Sequence, residues 1–524
     1  MRYLLTTLIC LVVMSIATAP AFAQAEGDYR SRDSGDWSDA QIWERFNGST
    51  WVAVATPPTG SETITVMATE DRTDSVFVDV ATTISGHLVH QGIIATEGNL
   101  SVGDGGVYEY ARDEGSMPIV NWEEGSTFLI TGVTATAPAN RNQNYYNITF
   151  NTPGLLSNLN MDLVGATIGG DIHVIETGVS RWYLTSALAN DTSIVTIQGD
   201  VIVEAGAFSV QGTSNANTTF IVDHYGDIVV TGGNFSISRG SQGGGTTRWY
   251  LHGGNLSMEN ATTQSSTATP GGARFIFAGG GTQMLMLGEG NTITALPIEV
   301  AAGTTLDVGS SVLSGGGDFV VREGSVLATA NPGGITGMFD ELYVGADTLE
   351  ANSSYMFNGT EAQVTSNLMP TVVQDLTINN AAGVVLSQET TINGVLHLVA
   401  GVFDNTIPFT LGDGASISEE GGSLLVPVSN ESAGELPVTF FVEQNYPNPF
   451  NPSTNIRFGL PSPADVTVSI YNALGQRVRT LALGHKPAGE HEFSFRADGL
   501  SSGMYLYRIE AGEFIATRQM VLLE

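Results

Sequence analysis

The feature that most constrains the fold is a repeat with a period of about 28 residues, a length typical of solenoid proteins. Each copy begins with Gly, usually followed by Asp, then three strand-forming residues and a second Gly seven positions after the first. The copies, of which the first and fourth are looser, start at Gly170, Gly199, Gly226, Gly253, Gly317 and Gly394. Apolar and polar residues alternate, as in TTFIVDHYGDIVV, which is typical of strands rather than helices. A strand-forming repeat of this length predicts one coil of a β-solenoid per copy.

We therefore predict an all-β body, a right-handed parallel β-helix over residues 125–428. Glycines supply the positive φ of the corners, and Gly206 and Gly233 are expected at equivalent corners of consecutive coils. Coils stack at roughly 4.8 Å, so equivalent side chains form ladders, and Phe208 and Phe235 are expected in one of them inside the core. Residues 127–426 would then form about 11 coils, on the order of 50 Å long.

The N-terminus predicts a secretory signal peptide over residues 1–23. Arg2 precedes an apolar run, and small residues at Ala21 and Ala23 suit cleavage after Ala23, with Ala25 as the alternative. The only cysteine, Cys10, lies inside this run. We expect a mature chain without disulfides or thiolate metal sites. No later segment is apolar over the roughly 20 residues of a membrane helix, so no transmembrane anchor is expected.

Residues 24–124 are predicted to be a β-rich capping region with the first coils. Trp37, Trp43 and Trp51 lie within fifteen residues. A solenoid must cover its open end, so these rings are expected to plug the first coil; a sugar-stacking platform is the alternative. The segment SGDWSDAQIW resembles the start of many large bacterial surface proteins with β-helical bodies.

Charge excludes several partners. Asp and Glu number 53 against 19 Lys and Arg, a net charge of −34, with Lys486 as the single lysine. Such a chain is repelled by nucleic acids and by anionic membranes. The acidic excess also suggests a saline, halophilic habitat, where counterions screen the self-repulsion.

The pattern changes after a linker predicted over residues 429–443. Four prolines occur in the eighteen residues of QNYPNPFNPSTNIRFGLP, and six or seven short alternating runs follow before the chain ends. Short strands between turn signals predict a small C-terminal β-sandwich over residues 444–524. Proline has no backbone donor, so the cluster is expected to end the strand register of the solenoid and to form a semi-rigid, extended lead-in to the sandwich.

This C-terminal segment resembles the type A C-terminal sorting domain of the type IX secretion system, found in the Bacteroidota and their relatives. The motif residues that correspond are Pro447, Pro449, Pro452, Gly475, Gly489, Gly503, Tyr505, Tyr507 and Arg518. The resemblance implies an immunoglobulin-like sandwich that the secretion translocon recognises at the outer membrane after export by the Sec machinery. It also implies delivery to the medium or to the cell surface through the periplasm, often with cleavage of the domain or attachment to surface lipopolysaccharide.

Two sets of body residues are candidates for metal chemistry. Asp171, Asp200 and Asp227 follow repeat glycines and are expected to stack one strand spacing apart, where close carboxylates need a cation or repel one another. They are interpreted either as a Ca²⁺ site, the only cofactor considered, or as solvated turn residues. His224 and His252 each stand two positions before a repeat glycine and are expected to be ladder neighbours near Asp227, although two histidines are an incomplete ligand set.

The sequence therefore predicts a secreted or surface β-solenoid with a structural or adhesive role. The alternative is a carbohydrate-active β-helix enzyme, a polysaccharide lyase or glycosidase, or a glycan-binding module. β-Solenoid enzymes use carboxylates and basic residues grouped on one face. No catalytic residue is assigned, and extracellular glycans are partners under either interpretation.

Overall fold

The computed structural model describes residues 24–185, 191–212, 218–238, 246–263, 272–341, 343, 347–426 and 439–523. The predicted signal peptide and residues 429–438 of the predicted linker lie outside these ranges. Contacts divide the chain into two units, residues 1–426, called the body, and residues 427–524, called the C-terminal unit. Within the described ranges, no helix has the length and apolarity needed to cross a membrane.

The body is built from short strands, with 3₁₀ turns at Ala40–Ile42 and Thr336–Met338. The first strands are β1 (Tyr29–Ser31), β2 (Gly35–Asp36), β3 (Trp43–Phe46), β4 (Trp51–Ala53), β5 (Thr63–Val66), β6 (Ser75–Val78), β7 (Thr82–Ile84), β8 (His87–His90), β9 (Ile93–Thr96), β10 (Leu100–Val102), β11 (Val107–Tyr110), β12 (Asn121–Trp122), β13 (Thr127–Ile130) and β14 (Asn147–Asn151). The central strands are β15 (Leu159–Asn160), β16 (Thr167–Ile168), β17 (Ile172–Glu176), β18 (Trp182–Tyr183), β19 (Thr192–Ile197), β20 (Val201–Val203), β21 (Ala207–Gln211), β22 (Thr219–His224), β23 (Ile228–Val230), β24 (Asn234–Ser238), β25 (Thr246–Leu251), β26 (Leu256–Met258), β27 (Thr262–Thr263), β28 (Ala273–Phe277), β29 (Thr282–Leu287), β30 (Thr292–Ile293) and β31 (Ile298–Val300). The last body strands are β32 (Thr305–Asp307), β33 (Phe319–Val321), β34 (Val326–Thr329), β35 (Asp347–Leu349), β36 (Ser354–Phe357), β37 (Gln363–Val364), β38 (Val372–Val373), β39 (Leu376–Asn379), β40 (Val384–Val385), β41 (Thr390–Ile392), β42 (Val395–Asp404), β43 (Phe409–Leu411), β44 (Ser416–Glu419) and β45 (Gly422–Leu424).

These strands stack as the parallel β-solenoid predicted from the repeat, with about 14 turns. The longest column of paired strands is called the first sheet. Its parallel strands follow one another in the order β1, β5, β8, β11, β13, β14, β17, β20, β23, β26, β29, β32, β34, β36, β39, β42 and β44. In the centre, each coil adds a strand to two further parallel sheets. The second sheet runs β16, β19, β22, β25, β28, β31, β33, β35, and the third runs β15, β18, β21, β24, β27, β30.

The coil length is less uniform than the sequence repeat predicts. In the centre, Val201 pairs with Ile228, a step close to the sequence period. Near the start, Thr127 pairs with Asn147, and toward the end Leu376 pairs with Leu396, and both of these steps are clearly shorter. Because the flanking coils are shorter, the described residues from Thr127 onward supply thirteen strands to the first sheet, so the estimate of about 11 coils is too low.

The interior is an apolar ladder, as predicted. Phe208 pairs with Phe235 in the third sheet, and both side chains are fully buried. The glycines before them, Gly206 and Gly233, have φ of 77° and 69°, so these equivalent corners take the left-handed conformation that glycine adopts without strain. The predicted register is therefore confirmed for this pair of coils.

An antiparallel hairpin covers the first coil. β1 pairs in parallel with β5, but on its other edge it pairs antiparallel with β3, which pairs with β4. Trp37 and Trp43 are buried here, with ring centroids 5.1 Å apart in an edge-to-face arrangement. Both rings belong to the core of the body and are closed to solvent. Trp51 is half-buried, with the Arg30 guanidinium 4.4 Å from its ring centroid.

The C-terminal unit consists of two antiparallel sheets around its own core. Its strands are β46 (Phe441–Val442), β47 (Ser453–Leu460), β48 (Ala464–Asn472), β49 (Arg477–Lys486), β50 (Gly489–Arg496), β51 (Gly503–Ala511) and β52 (Phe514–Leu522). The sheet orders are β46-β47-β50 and β49-β48-β51-β52. Buried side chains from both sheets, among them Ile456 and Val468, form one cluster, consistent with the predicted β-sandwich.

The proline cluster is part of this unit rather than an extended lead-in to it. Between the prolines, Tyr446 forms an antiparallel bridge with Asn455, and Phe450 forms a parallel bridge with Leu522. Phe450 is buried in the core of the unit. These single bridges form because Tyr446 and Phe450, unlike the prolines beside them, keep their backbone donors.

Candidate functional site

The Asp residues of the repeat form a hydrogen-bonded column along the first sheet. The backbone N–H of Asp200 donates to Oδ1 of Asp171 at 2.7 Å, and the N–H of Asp227 donates to Oδ1 of Asp200 at 2.7 Å. Asparagines flank the acidic members: Oδ1 of Asn147 accepts from Asp171, and Asn255 donates to Asp227. Each side chain therefore binds the backbone of the next coil.

The repeat glycine makes room for that carboxylate. A Cβ added to Gly199 would lie 2.3 Å from Oδ1 of Asp171. A Cβ added to Gly226 would lie 2.2 Å from the carbonyl oxygen of Gly199 and 2.6 Å from Oδ1 of Asp200. Gly and Asp thus act together, since glycine allows the close approach and aspartate uses it to tie the coils.

This geometry explains the Asp column without a cation. Among the described residues, no group of three His, Cys, Asp or Glu side chains is arranged to hold a metal ion. Asp171, Asp200 and Asp227 are no exception. Burial and the neighbouring carboxylates of Asp171 and Asp227 raise the pKa of Asp200, against the lowering effect of the N–H bond from Asp227. The column accordingly stores a repulsion that neutralising Asp200 would relieve.

The two histidines are not ladder neighbours, which corrects the prediction from their spacing. His224 pairs with Leu251, not with His252, because this coil is one residue shorter than the spacing of the histidines. A one-residue offset places the two side chains on opposite faces of the sheet. His224 is fully buried and donates from Nε2 to the carbonyl of Gly199 at 2.7 Å, and burial lowers its pKa to about 4.

His252 belongs instead to a cluster on the outer face of the second sheet. Its Nε2 lies 2.8 Å from Oδ1 of Asp223. Its ring stacks on Tyr225 at a centroid distance of 5.0 Å and lies within 11° of the plane of Tyr250, 5.9 Å away. Tyr225 remains 46% exposed. We call Asp223, Tyr225, Tyr250 and His252 the aromatic patch.

An ion-pair network continues along the same face, in the coils that follow. Arg274 bonds Glu299 at 2.9 Å and Asp318 at 3.0 Å, while Arg322 bonds Glu299 at 3.0 Å and Glu350 at 2.7 Å. Burial disfavours ionisation of Glu299, but hydrogen bonds from Arg322 and Arg274 outweigh it and lower the pKa of this carboxyl. The network connects four successive strands or their ends, so its first role is to tie coils.

Sequence reasoning missed both outer-face groups. The signal for the aromatic patch was present in the segment TTRWYLH, made of β25 and the residue after it, where Arg248, Tyr250 and His252 alternate with buried residues. The ion-pair network had a weaker signal, because its members come from coils of different lengths.

In the C-terminal unit, Tyr507 is the most deeply integrated of the predicted motif residues. Its buried hydroxyl donates to the carbonyl of Glu443 at 2.7 Å and accepts the N–H of Asn445 at 3.0 Å. Burial raises its pKa to about 12. Arg518 donates from Nε to the carbonyl of Val442 at 3.0 Å. Both residues therefore fix the segment that leads into the proline cluster.

The other motif residues shape turns and strand ends. The carbonyl of Pro447 accepts from the hydroxyl of Thr454, and the carbonyl of Pro452 accepts from the backbone of Ala497. Tyr505 donates to the carbonyl of Ser501. The remaining motif residues are Pro449 within the proline cluster, Gly475 in the β48–β49 turn, and Gly489 and Gly503 at the starts of β50 and β51.

The match to a known family decides the nature of this unit. Residues 444–523 match the family described as the secretion system C-terminal sorting domain. The C-terminal unit carries a type IX sorting domain. The sorting domain implies export by the type IX secretion system and a final location in the medium or at the cell surface. Neither the curated proteins nor the solved structures contain a significant match to the chain.

Proposed function

We propose that the body is a structural or adhesive β-solenoid, displayed at the cell surface or released by means of its sorting domain. The observation that carries the proposal is the first sheet, in which each coil is hydrogen-bonded to the next from Tyr29 to Glu419. The pairing is displaced at β29, where residues 285–287 pair with the preceding strand and residues 282–284 with the following one. Such a body presents long columns of outward side chains at one strand spacing, a geometry suited to repeated weak contacts with an extended partner.

The charged groups of the body support this role over catalysis. The carboxylates of Asp171 and Asp200 accept backbone N–H groups from the next coil. The carboxylate of Glu299 is paired with both Arg274 and Arg322. A glycosidase needs a pair of carboxyl groups poised across an open bond-cleavage site. The carboxylates described above are engaged in coil-to-coil contacts instead.

The aromatic patch favours an extracellular glycan as the adhesive partner. Tyr225 and Tyr250 offer apolar ring surface beside the polar atoms of Asp223 and His252, and a saccharide presents the matching combination of C–H faces and hydroxyl groups. Arg248 adds a donor on the same face: its Nη1 contacts only backbone carbonyls within the described structure. Surface lipopolysaccharide is a second glycan partner, proposed for attachment of the exported chain.

The test is a panel of soluble polysaccharides in affinity electrophoresis with the purified full chain, paired with an assay for new reducing ends. The proposal expects retardation by at least one polysaccharide without cleavage. Tyr225→Ala combined with Tyr250→Ala should weaken that binding about tenfold or more, and Ile194→Ala on the same sheet should leave it unchanged. Release of reducing ends would establish the enzyme alternative, and binding indifferent to the tyrosine variants would remove the aromatic patch as the site.

A further inference from the structure

Strand β9 of the body has one edge that stays unpaired in the part of the chain that the structure describes. β2, β6 and β9 form a short parallel sheet in which β9 is the last strand. The N–H of Ile93 bonds back to Asp74, next to β6. Because backbone groups alternate along a strand, those of Ile94 and Thr96 point to the opposite edge. Among the described residues, no strand pairs with that edge.

The sequence explains why the next coil leaves the edge open. In the first sheet, Val107 of β11 pairs with His87 of β8, and the same step along the chain from β9 leads to residues 113–116. A strand there would turn Glu114, the equivalent of buried Ile94, toward the core. Burying a carboxylate without a partner is costly. The chain instead turns, with φ of 52° at Glu114 and 87° at Gly115.

The turn is held away from β9 by the following coil. Oδ1 of Asp113 accepts the backbone N–H groups of Thr134, Ala135 and Thr136 at 3.0, 2.9 and 2.9 Å. Burial opposes ionisation of Asp113, but these three bonds prevail and lower its pKa to about 2. The N–H of Met117 bonds the carbonyl of Ala139 at 3.0 Å. The gap beside β9 is therefore built into the fold.

A cleft of about 460 Å³ occupies this gap. One wall is β9, and the other is formed by residues 115–119 and Asn140. Two isoleucines stand exposed at it, Ile93 at 45% and Ile119 at 60%. Arg112 bonds the carbonyl of Gly92, the first edge-facing carbonyl, and its buried Nε has no hydrogen-bond partner in the described structure.

We propose that this cleft binds an extended peptide segment of a partner protein by strand addition to β9. The edge presents N–H and C=O groups at strand spacing, which a peptide backbone matches directly. On the outer face, Ile93 and Ile119 contact apolar side chains of the incoming segment. Its other side chains face inward beside buried Ile94 and must be apolar as well. The proposal is independent of the glycan site and of export.

The test starts from a phage-displayed library of short peptides panned against the purified full chain. Recovered peptides are expected to be rich in apolar, strand-forming residues and to carry no charge at the positions that face inward beside Ile94. Ile93→Asp and Ile119→Asp should each weaken their binding at least tenfold. Ile194→Asp is the matched control, since Ile194 is also 45% exposed but lies on the second sheet, and it should leave binding unchanged.

Two further readouts identify the binding mode. N-methylation of alternate peptide residues should abolish binding in one set and spare it in the other, because only one set faces β9. The amides of Ile94 and Thr96 should gain protection from hydrogen exchange when peptide binds. Protection of the other strand amides in the same measurement shows that each variant is folded. The proposal is overturned if panning recovers no peptide, if both Asp variants bind normally, or if N-methylation has no positional effect.

Discussion

The backbone N–H of Asp227 donates to the carboxylate of Asp200 across a single coil step, at 2.7 Å. The same bond joins Asp200 to Asp171. The Gly-Asp repeat is thus a device for stacking coils, and its energetics are open to test.

Replacement of Asp200 should separate hydrogen bonding from charge. Asp200→Asn keeps an Oδ1 acceptor and removes a half-buried charge that lies between the carboxylates of Asp171 and Asp227, so the variant should be more stable than the wild type at pH 7. Asp200→Ala leaves the N–H of Asp227 without its partner and should cost about 1–2 kcal/mol of unfolding free energy. Urea unfolding measures both.

The pH dependence provides the control. A folded-state pKa raised above the unfolded value makes the wild type lose stability as pH rises through that pKa. The advantage of Asp200→Asn should therefore be present at pH 7 and vanish near pH 3. A destabilised Asn variant at pH 7 would contradict the electrostatic account.

The glycine before the aspartate should be intolerant of a side chain. Gly226→Ala places a Cβ 2.2 Å from the carbonyl of Gly199 and should destabilise the body by roughly 1–3 kcal/mol through forced displacement of the coils. Gly281→Ala is the matched control, because nothing lies within 4 Å of its added Cβ. Equal melting temperatures of the two variants would show that the coils relax at no cost.

Buried His224 should make the body acid-labile. Above pH 6.5 the imidazole is neutral in both states and contributes nothing; between pH 6.5 and about 4 only the unfolded chain binds the proton, so stability falls as pH falls. The loss is on the order of 3 kcal/mol.

His224→Gln can still donate to Gly199 and does not titrate, so its stability should fall less over this range. His397→Gln, at a half-buried position of β42, is the control. Parallel stability curves for the wild type and His224→Gln between pH 7 and 4 would refute the assignment.

The acidic excess predicts a salt response. Residues 1–435 carry 12 basic and 45 acidic residues, whereas the rest of the chain is nearly neutral. Screening should raise the melting temperature of the body as NaCl increases from about 10 mM to 1 M. An equal osmolality of an uncharged solute is the control, and a flat or falling curve in NaCl would show that the charge is not tuned to a saline habitat.

The sequence was informative where local pattern and tertiary structure agree. Alternation and glycine spacing predicted the solenoid, the Phe208–Phe235 ladder and the Asp column, because stacking repeats the same local environment in every coil. It failed where the coil length varies. One residue of difference moved His224 to the core and left His252 outside.

The open edge of β9 was equally hidden. It depends on which residue of one coil faces which of the next, and only the short step between these two coils places Glu114 opposite Ile94. The proline cluster was predicted to be an extended lead-in for another reason. The bridges at Tyr446 and Phe450 join residues that are distant in the sequence or lie across a turn, and the local pattern around the prolines does not indicate them.

The central claim is that the sorting domain exports the β-solenoid, and secretion itself is the most direct measurement. Cell fractionation and surface proteolysis in the native host would compare the full chain with a deletion of residues 445–524. The truncated body should fold and remain in the periplasm, and the same segment fused to an unrelated Sec-exported protein should carry that protein to the surface or the medium. A truncated body that reaches the surface at the wild-type level would contradict the account.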